Sequence, residues 1–122
     1  MKKILVVVFF LMFGFYLNAQ KLISIDSTSN YEGQFVIVCE KVAEAFKPSG
    51  DNKLTYLNFG GKYPNNTFTV VIYPKDLPNF PFNPVEKYND KKICVKGKIS
   101  FFKDKPQIIA KNPDQIELII GE

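Results

Sequence analysis

The chain has 122 residues, a formal net charge of +4 and 46% hydrophobic residues, enough for one domain with its own core. It has no histidine, and all its basic residues are lysines. Those absences exclude imidazole acid–base chemistry, imidazole metal ligation and bidentate arginine grips on phosphate.

Lys2 and Lys3 precede an apolar run from Ile4 to Leu17, closed by Asn18, Ala19 and Gln20. A basic start, a hydrophobic stretch and a small residue predict a secretory signal peptide over residues 1–19, with Ala19 the last residue removed. The alternative is a retained anchor, but the run is shorter than the roughly 20 residues a spanning helix needs. No cysteine stands at the cleavage point for a lipid anchor, so no stable membrane anchor is expected after cleavage. Cleavage halves the formal net charge and leaves residues 20–122 as a single exported domain, periplasmic or secreted.

In the exported part, Lys21 to Asn30 reads as a polar entry segment in which Asp26 to Ser29 can cap a short turn. Gly33 to Val42 echoes Asp90 to Ile99: each has a turn residue, a polar pair, an apolar run and a charged step before a branched residue. That pattern predicts strands entering a small barrel. The first strand is expected from Phe35 to about Phe46, and Lys47 to Asn52 is a cluster of turn residues. Leu54 to Phe59 is the second strand, Gly60 to Asn66 a longer loop, and Thr67 to Tyr73 the third strand, rich in branched and aromatic residues.

Four prolines between Pro74 and Pro84 bar a central strand there. Asn83, Pro84 and Glu86 instead form a helix start: a cap, a proline at the first helical position and an acid three after the cap. One helical turn through Tyr88 is expected. Phe80 and Phe82 either close one end of the barrel or form an apolar loop for a protein partner. Lys92 to Phe102 is the fourth strand, Lys103 to Lys105 a tight charged turn, and Gln107 to Lys111 the fifth strand. Ile116 and Leu118 can pack back onto the domain. The inward side chains are expected to be Val36, Val38, Leu57, Phe59, Val70, Ile72, Ile93, Val95 and Ile99.

Cys39 and Cys94 are the two cysteines. In an oxidising compartment an even count favours a disulfide over two buried thiols. Lys92, Cys94, Lys96 and Lys98 share one side of their strand, and by the echo Cys39 takes the matching side of the first.

An all-β chain of five strands, with a short helical turn between the third and fourth, has the order of a Greek-key OB-fold barrel. The runs Leu54 to Gly60, Tyr63 to Asn65, Phe68 to Tyr73, Ile93 to Ile99 and Pro106 to Ile109 carry a more specific likeness. Over residues 24 to 118 the chain resembles a family of bacterial, exported OB-fold proteins that are nucleic-acid-binding-like. Tyr73 stands where members often carry Trp. The resemblance implies a binding module whose ligand is single-stranded nucleic acid, and the lack of histidine, arginine and catalytic motifs makes a non-enzymatic module the expectation. A protein- or oligosaccharide-interaction module is the alternative, favoured by the small charge of the exported part.

OB-folds bind across the outer face of the second and third strands. With Leu57, Phe59, Phe68, Val70 and Ile72 inward, Tyr56, Asn58, Thr69, Val71 and Tyr73 point out. Tyr56 and Tyr73 can stack bases or sugars and Asn58 and Thr69 can bond an edge, while Lys53, Lys62, Lys75, Lys103 and Lys105 can meet phosphates. The sequence carries no P-loop, nucleophile elbow or paired metal-ligand motif, so catalytic residues, metals and cofactors are not expected.

Overall fold

A computed structural model describes residues 20–120. The expected signal peptide, residues 1–19, lies outside the described residues, as do the last two. Among the described residues are eight strands, β1 (Lys21–Ile23), β2 (Phe35–Lys41), β3 (Glu44–Phe46), β4 (Thr55–Phe59), β5 (Phe68–Ile72), β6 (Lys92–Phe102), β7 (Lys105–Ile109) and β8 (Ile116–Leu118). One short α-helix, α1 (Pro84–Tyr88), stands between β5 and β6, preceded there by a single 3-10 turn at Leu77–Asn79.

The hydrogen-bonded order is β1-β2-β6-β7-β5-β4-β3, with β8 on β6. The β1–β2 and β5–β7 pairs are parallel and the rest antiparallel. The two echoing segments are partners: β2 faces β6 from Phe35 opposite Lys98 to Lys41 opposite Lys92. Their shared parity sends Val36, Val38, Ile93 and Val95 into one core. All nine expected inward residues are buried there, joined by Ile23, Val42, Phe68, Ile108, Ala110 and Ile116.

Five strands were expected, and the eight differ from them for identifiable reasons. The run from Phe35 to Phe46 is split into β2 and β3 at Val42 and Ala43. The Val42 N–H donates to the Lys91 carbonyl at 2.8 Å, and the Ala43 N–H to the Asn58 carbonyl at 2.8 Å. The chain therefore changes partner from β6 to β4 within two residues, with Val42 buried at the bend. The hydrogen-bonded path is open, ending at β1 on one side and β3 on the other, although the chain runs directly from β2 to β3. The entry segment supplies β1, because Ile23 reaches the core while its backbone lies along Val38. Ile116 and Leu118 pack back as expected and also pair with β6, as β8.

The fifth expected strand starts earlier than Gln107. Lys103 and Asp104 both have positive φ, 50° and 68°. This is the backbone of a two-residue hairpin turn, so Lys105 already pairs with Phe102. On β6, Gly97 permits a close approach: a Cβ there would lie 2.6 Å from Ile108 Cγ2. This is where β6 leaves β2 and takes up β7.

The helix forms as its cap signal predicts. Asn83 Oδ1 accepts from the N–H groups of Val85 and Glu86 at 2.9 and 3.3 Å. Phe80 is buried, and Phe82 meets Phe80 and Tyr88 edge-on at 6.0 and 5.7 Å. The two phenylalanines thus close an end of the core rather than forming a free apolar loop. Cys39 and Cys94 are directly opposite in the β2–β6 ladder and are joined by a disulfide, with Cα atoms 4.0 Å apart.

Candidate ligand-binding groove

The outer faces of β3, β4, β5 and β7 form the floor of a groove. Register places the polar residues in one row: Glu44 beside Asn58, Asn58 beside Thr69, and Thr69 beside Gln107. The next row is Phe46, Tyr56, Val71 and Ile109. The loop from Gly60 to Thr67 forms one wall and the β6–β7 hairpin the other. Gly60 makes the loop possible, since its φ is +81° and a Cβ would collide with the Thr67 hydroxyl. Together these elements enclose a cavity of about 610 Å³ lined by Glu44, Phe46, Tyr56, Asn58, Tyr63, Pro64, Asn66, Thr69, Val71, Phe102, Lys103, Lys105, Pro106 and Gln107.

Three of the largest exposed apolar side chains of the described protein stand on this rim: Phe46 at 50%, Tyr63 at 76% and Phe102 at 61% exposure. Each comes from a different element, so they surround the groove rather than forming one patch. Tyr56 lies half-buried on the floor between β3 and β5. The Lys103 ammonium sits 5.4 Å from the Phe102 ring centre, which puts a cation beside one rim aromatic.

The polar row is internally bonded. Asn66 reaches in from the loop and donates to Thr69 Oγ1 at 2.7 Å and to Asn58 Oδ1 at 3.2 Å. Thr69 donates to Asn58 Oδ1 at 3.1 Å, and Asn58 Nδ2 donates to Glu44 Oε1 at 3.3 Å. That same carboxylate oxygen accepts the Tyr63 N–H at 3.2 Å. At the other end Lys105 donates to the Pro64 carbonyl at 2.8 Å and to Asn66 Oδ1 at 3.4 Å. The network fixes the loop, and with it Tyr63, over the sheet.

Of the residues expected at a site, Tyr56, Asn58, Thr69, Lys103 and Lys105 border the groove. Asn58 and Thr69 point outward as the alternation predicts, but the loop covers them and they are buried. Their bonding groups meet Asn66, Glu44 and each other, so they brace the groove instead of presenting free edges. Tyr73 is exposed just past the end of β5 and does not border it. Lys53, Lys62 and Lys75 are exposed and likewise outside the lining. Tyr56 thus shares the groove with Phe46, Tyr63 and Phe102, and Tyr73 lies outside its lining. Phe102 could have been found from its place beside the tight turn, and Phe46 from its alternation with Glu44. Tyr63 had no signal, because the fold of its loop depends on Asn66 and Lys105.

Among the described residues, no three or more Cys, Asp or Glu side chains cluster closely enough to hold a metal ion. No protein-family profile matches the chain, nor does the sequence of any curated protein. Solved structures do resemble it. OBody AM1L10, bound to hen egg-white lysozyme, aligns with a TM-score of 0.55 at 14% identity, over 85% of this chain and 96% of that one. A Leishmania major Friedlin chain described as an aspartyl-tRNA synthetase aligns with a TM-score of 0.51 at 10% identity, over 86% of this chain. Asparaginyl-tRNA synthetase from Pyrococcus horikoshii gives 0.50 at 10% identity, over 80% of this chain. The match spans 22% of each synthetase chain. At these identities the likeness is one of fold, and the fold is the OB-fold.

Proposed function

We propose that the chain is an exported, non-enzymatic OB-fold module, its domain spanning residues 20–122 after a signal peptide, that binds single-stranded nucleic acid in the groove. One observation carries the reading: aromatic side chains from β3, the 60–67 loop and the β6–β7 hairpin converge, exposed, around one cavity with Lys103 at its rim. Exposed rings are costly in water and useful where a base or sugar can stack, and base stacking on aromatics is tolerant of sequence. The OB-fold likeness supports the reading, because OB-folds take ligands across the outer face of the strands that correspond to β4 and β5. The disulfide fits an oxidising compartment, which supports export.

The oligosaccharide alternative is favoured by a separate observation: the Glu44 carboxylate lies in the groove, where it suits a sugar hydroxyl and repels phosphate. A fluorescein-labelled single-stranded oligonucleotide titrated at two salt concentrations decides between them. Phosphate binding weakens as salt rises, whereas sugar binding holds. Under the nucleic-acid reading, Tyr63→Ala and Phe102→Ala each weaken binding by about 1–3 kcal/mol, with little dependence on base identity. No binding at low salt and tens of micromolar protein would remove the nucleic-acid reading.

A further inference from the structure

The outward sides of β1, β2 and β8, with that of β6 from Lys92 to Lys98, form a second surface that shares no residue with the groove. Register sets its residues in rows. Phe35 lies beside Lys98; Leu22, Ile37 and Lys96 share the next row; Cys39 and Cys94 the third; Lys41 and Lys92 the fourth. The result is an apolar column on β1 and β2 against a lysine column on β6. Leu22 is 66% and Phe35 60% exposed, and among the described residues no element covers either. The Lys98 ammonium lies 5.9 Å from the Phe35 ring centre. Acids are fewer here: Glu117 stands beside Cys94, and Asp90 is paired with Lys41 at 3.1 Å. Among the described residues no ion pair engages Lys92, Lys96 or Lys98. The disulfide ties the middle of the face, so the two columns are held in one plane.

We propose that this face rests on the surface of an anionic lipid bilayer. Leu22 and Phe35 would enter the headgroup boundary while the lysines of β6 meet lipid phosphates, their aliphatic stems lying along the apolar column. Charge complementarity selects this occupant. A second copy of the chain would set lysine against lysine, and a nucleic acid would leave Leu22 and Ile37 without a role.

The test is co-sedimentation of the chain starting at Gln20, which keeps every described element, with two kinds of vesicle. Vesicles of phosphatidylcholine containing phosphatidylglycerol should bind the protein, and phosphatidylcholine alone should not. Lys96→Ala and Lys98→Ala should each weaken binding about fivefold. Leu22→Ser with Phe35→Ser should weaken it about tenfold. Lys62→Ala, away from this face, should leave it unchanged. Equal binding to both vesicles, or no response to the lysine or apolar variants, overturns the proposal. Loss of oligonucleotide affinity in the Lys96 and Lys98 variants, without vesicle binding, would overturn it too and give the face to nucleic acid. Each variant alters an exposed side chain, and Lys98→Ala alone suffices should the Phe35 variant fold poorly. Oligonucleotide titration of the groove is read separately, so failure here leaves the groove reading intact.

Discussion

Removing the Cys39–Cys94 bond should destabilise the domain chiefly through its unfolded state. The two residues are 55 apart in sequence, so the bond closes a loop containing α1, all of β3 to β5 and part of β2 and β6. The chain-entropy relation for a loop of this length gives about 4 kcal/mol at room temperature. That is a large share of the roughly 5–15 kcal/mol that holds a domain of this size together. In the native fold the same pair is already adjacent across the β2–β6 ladder, whose hydrogen bonds do not need the bond. A Cys39→Ala, Cys94→Ala variant should therefore keep its strand content by circular dichroism while losing about 2–4 kcal/mol in urea titration. Its m value should rise, because the uncrosslinked unfolded chain exposes more surface. A loss below about 1 kcal/mol with unchanged m would refute the unfolded-state reasoning. A loss of native strand signal in water would show instead that the bond holds the ladder itself.

Gly97→Ala places a methyl group 2.6 Å from Ile108 Cγ2 in the core, so a loss of about 1–3 kcal/mol is expected in denaturant titration, and unchanged stability would contradict the close approach. Asn58→Ala removes a partner of Asn66, Thr69 and Glu44, and should cost about 1–3 kcal/mol while speeding hydrogen exchange in the 60–67 loop. Tyr88 is buried, and desolvation raises its phenol above the ordinary 10.0. Its folded form therefore holds the proton more tightly: the associated stability is fully present below pH 10 and is lost as pH rises through the raised value. The stability of the wild type relative to Tyr88→Phe should stay flat below pH 10 and fall as pH rises from there through the raised value.

The alternation in Lys92 to Ile99 places Ile93, Val95, Ile99 and Cys94, the echo carries that parity to Cys39, and the patterns of the other strands place the remaining core residues. The cap at Asn83 was equally legible, because the side chain, the proline and the acid act within four residues. What escaped was set at longer range. The break at Val42 depends on two carbonyls from distant segments, Lys91 and Asn58, that accept from the adjacent amides of Val42 and Ala43. β1 and β8 are three-residue strands whose own sequences carry too little pattern to announce a pairing. Asn58 and Thr69 were correctly read as outward, yet outward on the sheet proved to be beneath a loop. That covering follows from Lys105 and Asn66, residues far from Asn58 in the ladder and visible only once the loop is folded.

The bonds along the groove floor all point the same way. Lys105 donates to Asn66, Asn66 to Thr69 and Asn58, Thr69 to Asn58, and Asn58 to Glu44. A cation thus begins the series and a carboxylate ends it, with three neutral side chains oriented between them. Linked donors polarise one another along such a series. The groove consequently has a head and a tail: an anionic group is favoured at the Lys105 end, and a hydroxyl or amino group at the Glu44 end. Under the proposed binding mode an asymmetric chain has a preferred direction of travel, and reversing it sets its anionic group against the Glu44 carboxylate.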